Sequence, residues 1–356
     1  MNLPFFGNNY KLSSEEKLAL VEGLSIMLSA GIPILEALDS ISEDAVNKNA
    51  KELVRDLSDQ INRGKTLSEA LEKYPDSFDR VLVSIVRSGE ESGKLDKVLA
   101  ELTENIKTSI ETTNNIRSAL FYPILVIISL VVVSFYLFIF ALPRVAKVFL
   151  DLGINLPAYS AFILRSSLFV QKYYVYVILL FLLVVVVGIR LLMNRKIRSF
   201  FFSILARIPS IRSLVRFMDL SKFTSTTSLL LSAGLPIIEA LDIAANVVVS
   251  PKLRGAIVFL KDSLTQGSGL SEAMKKRGES FPSLLRRVVG VGEETGNLDE
   301  SLKEISGHYE KQFTDIVKNL TVLLEPILLI IIGVVVGVVL LSIIAPIYQL
   351  IGQINQ

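Results

Sequence analysis

The sequence predicts an all-α, polytopic membrane protein with two duplicated cytoplasmic six-helix bundles and three transmembrane helices. Three observations carry that reading. Hydrophobic residues make up 51% of the chain and charged residues 20%, a mixture that calls for soluble parts alternating with spans. Three stretches are apolar for about 20 residues, the length a bilayer requires. The chain also overlays itself at one constant offset, Leu28 on Leu231 and Gly89 on Gly292 alike.

The first residues, Met1 to Ser14, of which 1–12 form a short N-terminal segment, lack the basic-then-apolar pattern of a signal peptide, so the N-terminus is expected to stay in the cytoplasm. The first bundle, 13–120, opens at a capping box, Ser13 with Glu16, followed by Leu18, Val21, Leu24 and Leu28 at helical spacing. Gly31 is expected to end that helix and Pro33 to start the next, which makes AGIP a helix–turn–helix corner. A third helix is expected to run from Lys51 to Asn62. Thr66 and Glu69 form a second capping box for a short fourth helix. A fifth is expected over Asp79–Arg87, with Gly89 and Gly93 breaking the chain after it. The sixth begins near Leu95 and runs with little interruption into the membrane. At 1.5 Å per residue a helix of roughly 45 residues is nearly 70 Å long, enough to carry movement from cytoplasm to bilayer.

The spans follow in order. The first, 121–143, contains no charge; 144–172 reads as an extracytoplasmic loop; the second span, 173–193, has Arg190 near its end, where it can snorkel to the headgroups. The second bundle occupies 194–323, the third span 324–347, and 348–356 is an extracytoplasmic tail. Arg195, Lys196, Arg198, Arg207, Arg212, Arg216 and Lys222 crowd the stretch after span two, whereas the tail after Tyr348 has no basic residue. Basic residues stay inside, so both bundles are placed in the cytoplasm.

The duplication ties the two halves together. LSAGIPILEALD (Leu28–Asp39) overlays LSAGLPIIEALD (Leu231–Asp242) with ten of twelve positions identical, and GEESGKLD (Gly89–Asp96) overlays GEETGNLD (Gly292–Asp299). GKTLSEAL overlays GSGLSEAM, Phe78 falls on Phe281, Pro123 on Pro326 and Pro143 on Pro346. The repeating unit is one bundle plus the span after it. Span two is the unpaired element that returns the chain to the cytoplasm.

The chemistry-bearing residues are few. With no cysteine and one histidine, His308, thiolate catalysis, disulfides and multi-histidine metal sites are excluded. A formal net charge of +2 with no basic stripe gives no footprint for nucleic acid. No phosphate loop, dinucleotide fingerprint or zinc-binding helix is present, so no catalytic, cofactor or metal residues are assigned and the protein reads as a non-enzyme. The conspicuous polar motifs are GEESG and GEETG. Glu90, Glu91, Glu293 and Glu294 are the candidate partner-docking residues. Gly31, Pro33, Gly89, Gly93, Gly234, Pro236, Gly292 and Gly296 are the turn residues of the two copies. Gly333 and Gly337 form a GxxxG in span three, where another helix could approach closely. Glu325 is placed at the membrane interface, and His308 reads as an ordinary surface histidine.

The duplicated AG-hydrophobic-P, LSEA and GE-x-[ST]-G-x-L signatures, with a span closing each unit, resemble the type II secretion system F / type IV pilus inner-membrane platform family. The resemblance covers the chain from about residue 17 to its end. It implies two six-helix cytoplasmic bundles and three spans in the cytoplasmic (inner) membrane, with no cofactor. It also implies a place beneath a growing pilus or pseudopilus, where a hexameric cytoplasmic ATPase is coupled to pilin or pseudopilin insertion. The partners it implies are that ATPase, the pilins, other platform-complex proteins and membrane lipid. A homo-oligomer is a further expectation. A membrane transporter and a membrane-tethered signalling adaptor are the alternatives. Spans without charged centres argue against the transporter, whereas the adaptor shares the lack of catalytic residues.

Overall fold

The computed structural model describes residues 10–151, 157–193 and 209–354. The described elements are helical, and the chain forms two compact units: Met1–Asn115 with Ser213–Asp315, and Ile116–Arg212 with Ile316–Gln356.

In the first unit, α1 (Ser14–Ser29), α2 (Ile34–Asp44), α3 (Lys48–Asn62), α4 (Leu67–Glu72), α5 (Arg80–Ser92) and the start of α6 (Leu95–Tyr136) form an N-terminal set. Both capping boxes form: the Ser13 hydroxyl accepts from the Glu16 amide, the Thr66 hydroxyl accepts from that of Glu69, and each glutamate accepts from its cap residue's amide. At the α1–α2 corner Gly31 has φ 82°, and Ile32 N–H donates to Met27 O, closing the helix end. Pro33 is the residue that caps α2 rather than its first helical residue. The third helix starts at Lys48, earlier than the sequence suggests, because the Asn47 side chain caps it through the Asn49 amide.

A C-terminal set repeats these elements: α10 (Pro209–Ser232), α11 (Ile237–Val247), α12 (Pro251–Thr265), α13 (Leu270–Lys276), α14 (Ser283–Thr295) and the start of α15 (Leu298–Ile354). Helices α2, α3 and α5 reappear as α11, α12 and α14 with both ends displaced by the same 203 residues that align the sequence. Two apolar clusters fill this unit. One is built on Leu220, Phe223, Leu241, Ile257, Phe281 and Tyr309 of the C-terminal set. The other holds the N-terminal core, including Leu24, Leu38, Leu53, Phe78 and Ile85, and takes in Leu229, Leu230, Ala233, Leu235, Ala240 and Ile243 of the C-terminal set. The two sets are therefore joined through shared core.

The second unit holds the apolar part of α6, a five-residue π-helical stretch Leu137–Ala141, α7 (Leu142–Asp151), α8 (Ala158–Lys172), α9 (Tyr174–Met193) and the apolar part of α15. Among the described residues two stretches are long and apolar enough to cross a membrane, Leu95–Asp151 and Leu298–Ala345. α8 and α9 meet at an 89° bend and count as a further stretch only when the bent pair is taken as one span. Residues 144–172, expected as a loop, carry most of α7 and all of α8. Leu142, Ala146 and Phe149 recur at helical spacing and bury against Leu164 and Val339, which gives α7 a packed face.

Candidate partner-docking surface

The four glutamates singled out by the sequence do not form one cluster. Each motif divides its two acids between different tasks. Helix α5 continues through Gly89, Glu90 and Glu91 to Ser92, so Glu90 lies in its last turn. From there its carboxylate accepts the Leu67 and Ser68 amides, at 2.5 and 3.0 Å, at the start of α4. These are first-turn donors that no helical carbonyl can reach. Glu293 does the same from α14, accepting the Leu270 and Ser271 amides at 2.6 and 3.0 Å. Burial pushes the Glu293 carboxyl up, but the two amide donors outweigh it and hold the group below the ordinary carboxylate value. Glu91 and Glu294, one residue on, are exposed. GE-x-[ST]-G is thus a clamp between the fifth helix of each set and its LSEA helix.

The glycines divide in the same way, and the expectation that all of them make turns is corrected. Gly93 and Gly296 do end α5 and α14, in the left-handed conformation at φ 67° and 77°. Gly89 and Gly292 lie inside those helices instead. A β-carbon at Gly89 would stand 3.0 Å from the Val98 β-carbon. One at Gly292 would stand 2.7 Å from the Ser301 hydroxyl and 3.1 Å from the Leu298 α-carbon. Their work is to let the fifth helix lie against the sixth. The sequence alone cannot separate these roles, because a glycine needed for space and one needed for φ look alike.

Asp219 was missed. It is fully buried in α10, and its carboxylate accepts the Val249 and Ser250 amides at 2.8 and 2.7 Å, ahead of α12. Burial holds its carboxyl above the ordinary value although both amides pull it down. Its counterpart in the first set is Glu16 of the capping box, so one repeat position caps a different helix in each copy. The repeat alignment is the signal that could have found it.

His308 is exposed and stacks edge-on against Tyr309. Glu325 is exposed on α15. Apart from their own stretch of helix, no described atom lies within 4 Å of a β-carbon built on Gly333 or Gly337, so nothing crowds either glycine. Among the described residues no group of three or more His, Asp or Glu could hold a metal ion. A cleft of about 510 Å³ beside α12 is lined by residues including Lys252, Lys276, Arg277 and Glu279, and Lys252 pairs with Glu279 at 2.5 Å.

The model of the family described as Type II secretion system (T2SS), protein F, matches residues 20–143 and again 223–346, two ranges separated by the internal offset of the sequence. The chain is similar to a type IV pilus assembly protein PilC of Pseudomonas aeruginosa, 30% identical over 342 residues covering 92% of this chain and 87% of that one. It is likewise similar to a type IV pilus assembly protein PilC of Thermus thermophilus, 30% identical and covering 93% and 82%. A type II secretion system protein F of P. aeruginosa is 27% identical, covering 95% of this chain and 84% of its own length.

Proposed function

Because the chain belongs to the type II secretion system protein F family, we propose that it is a membrane-embedded assembly platform. It couples a hexameric cytoplasmic ATPase to the polymerisation of pilins or pseudopilins, and is not itself an enzyme. The observation that carries this reading is the pair of helices α6 and α15. Each begins in the packed unit of the two helical sets and continues unbroken as a stretch apolar enough to cross a membrane. Leu99 and Leu102 anchor α6 in one core, and Leu302, Ile305 and Tyr309 anchor α15 in the other. A push on either set is thereby delivered to a span without passing through a loop. Relatives that share this chain nearly end to end carry the names of pilus assembly and type II secretion proteins.

In this reading the two sets are duplicated six-helix bundles on the cytoplasmic side, with the N-terminus there, three spans, and the 144–172 segment and C-terminus outside. The basic residues from Arg195 to Lys222 support that orientation, although 194–208 lie outside the described residues. Glu90 and Glu293 are held by amides, so the docking charge offered to the ATPase rests on Glu91 and Glu294. Gly333 and Gly337 are the place on span three where a partner helix or a pilin comes close.

The test is affinity purification of the full chain from gentle detergent, with mass spectrometry of what accompanies it. The expected result is a secretion-type ATPase with pilin-like subunits, the ATPase lost when Glu91 and Glu294 are both changed to Lys. ATPase retention in that variant removes the docking role. Absence of both partners after crosslinking in cells removes the platform reading.

A further inference from the structure

The two helical sets do not meet face to face as equals. The N-terminal set offers the outer side of α5 and α6, and the C-terminal set offers its α10–α11 corner together with α15 near Glu310. The Ser88 hydroxyl of α5 donates to the Ala233 carbonyl. Further along α6, the Ser232 hydroxyl donates to the Glu101 carboxylate, Asn105 Nδ2 donates to the Ser225 hydroxyl at 2.9 Å, and the Thr112 hydroxyl donates to the Glu310 carboxylate. Around these bonds Leu229, Leu230, Ala233 and Leu235 are buried in the N-terminal core. A two-fold arrangement would use each surface twice, and this one uses each once.

Shifting every partner by the repeat offset shows what is left over. Leu229 is 7% exposed, and its counterpart Ile26 is 64% exposed. Ala233 is buried and Ala30 is exposed. On the other side, half-buried Val81 and Ser88 correspond to Leu284 at 44% and Val291 at 59% exposure. Half-buried Glu101, Asn105 and Thr112 correspond to exposed Glu304, His308 and Asp315. Half-buried Ser225 and Glu310 correspond to exposed Glu22 and Lys107. The chain thus carries one used interface and, on opposite copies of the repeat, both halves of a second one.

We propose that the occupant is a second copy of this chain, bound head to tail. The α14–α15 face of one copy (Leu284, Val291, Glu304, His308, Asp315) seats on the α1–α2 corner and α6 of the next (Glu22, Ile26, Ser29, Ala30, Lys107), repeating the intramolecular interface. The replacements favour this occupant. The pair Thr112–Glu310 becomes Asp315 facing Lys107, and the pair Asn105–Ser225 becomes His308 facing Glu22, each joining an acid to a basic residue. Ser232–Glu101 is retained as Ser29 facing Glu304. The Ser88 position becomes Val291, and a polar bond gives way to apolar contact against Ala30. Such an interface is heterologous, so it extends to a ring or a row rather than stopping at a symmetric pair.

The chain has no cysteine, so introduced thiols are the only ones present. Ala30→Cys and Val291→Cys are made in separately tagged full-length copies and coexpressed in membranes, with a short bismaleimide as probe. The proposal expects cross-linked dimers only in the mixed sample. Lys107→Glu on the Ala30→Cys copy lowers the yield about two- to fivefold, the scale of an exposed ion pair, and Asp315→Lys on the other copy restores it. A cross-link within either single variant, or none in the mixture while Ser88→Cys/Ala233→Cys links within one chain, overturns the proposal. As a second measurement, Ile26→Asp at an already exposed position reduces the detergent-extracted oligomer to single chains. An unchanged particle mass overturns it equally.

Discussion

Glu293 shows how a residue that looks like a ligand-facing acid is consumed by the fold. Its position at the C-terminal end of α14 is electrostatically poor, because unpaired carbonyls gather there. The start of α13 makes up for this with two amides that have no helical acceptor. Since those amides hold its carboxyl below the ordinary value of 4.5, the ionised form is the one the folded state prefers. Its contribution is therefore full above the unfolded value and is lost as pH falls through the lowered folded value. Glu293→Gln removes that step from the acid limb of a thermal-unfolding series, and Glu293→Ala costs about 0.5–2 kcal/mol at neutral pH, as losing a helix cap does. An acid limb unchanged by Glu293→Gln would mean that the carboxylate does not clamp α13. The sequence places this acid beside a glycine turn but gives no sign of its acceptor role, because the amides it meets lie more than twenty residues earlier.

At the scale of elements, most of the pattern was legible. Ser13 with Glu16 and Thr66 with Glu69 read as capping boxes and form them. Gly31 and Gly93 read as helix stops, and each has positive φ. Legibility failed where a residue serves a neighbouring helix. Gly89 and Gly292 read as breaks, yet α5 and α14 run through them because α6 and α15 approach so closely there. Gly292→Ala should cost about 1–3 kcal/mol, since the new methyl meets the Leu298 backbone as well as the Ser301 hydroxyl. Gly307→Ala, on the neighbouring helix α15 and facing open space, should instead stabilise by about 0.5–1 kcal/mol. Chemical denaturation of both variants checks the pair. Equal effects would show that helix propensity rather than the close approach governs these glycines. The helices α7 and α8 were hidden for a different reason: 144–172 is short and mixed in polarity, and its packed face is visible only once Leu142 and Phe149 have met Leu164.

For the whole molecule, the sequence disclosed the repeat but not how the copies use each other. Two like copies could pair symmetrically, and contrasts such as buried Leu229 with exposed Ile26 show that they do not. The functional account rests on a different large-scale feature, the continuity of α6 and α15 from packed core to apolar stretch. The most direct test is a short Gly–Ser insertion between Asn114 and Asn115, two exposed residues of α6. It leaves the core contacts of Leu99 and Leu102 in place and uncouples them from the apolar part of the helix. The measurement is filament assembly alongside ATPase co-purification from the same cells. The account predicts that the ATPase is retained while assembly is abolished. Normal assembly with the insertion in place would contradict helix-borne coupling.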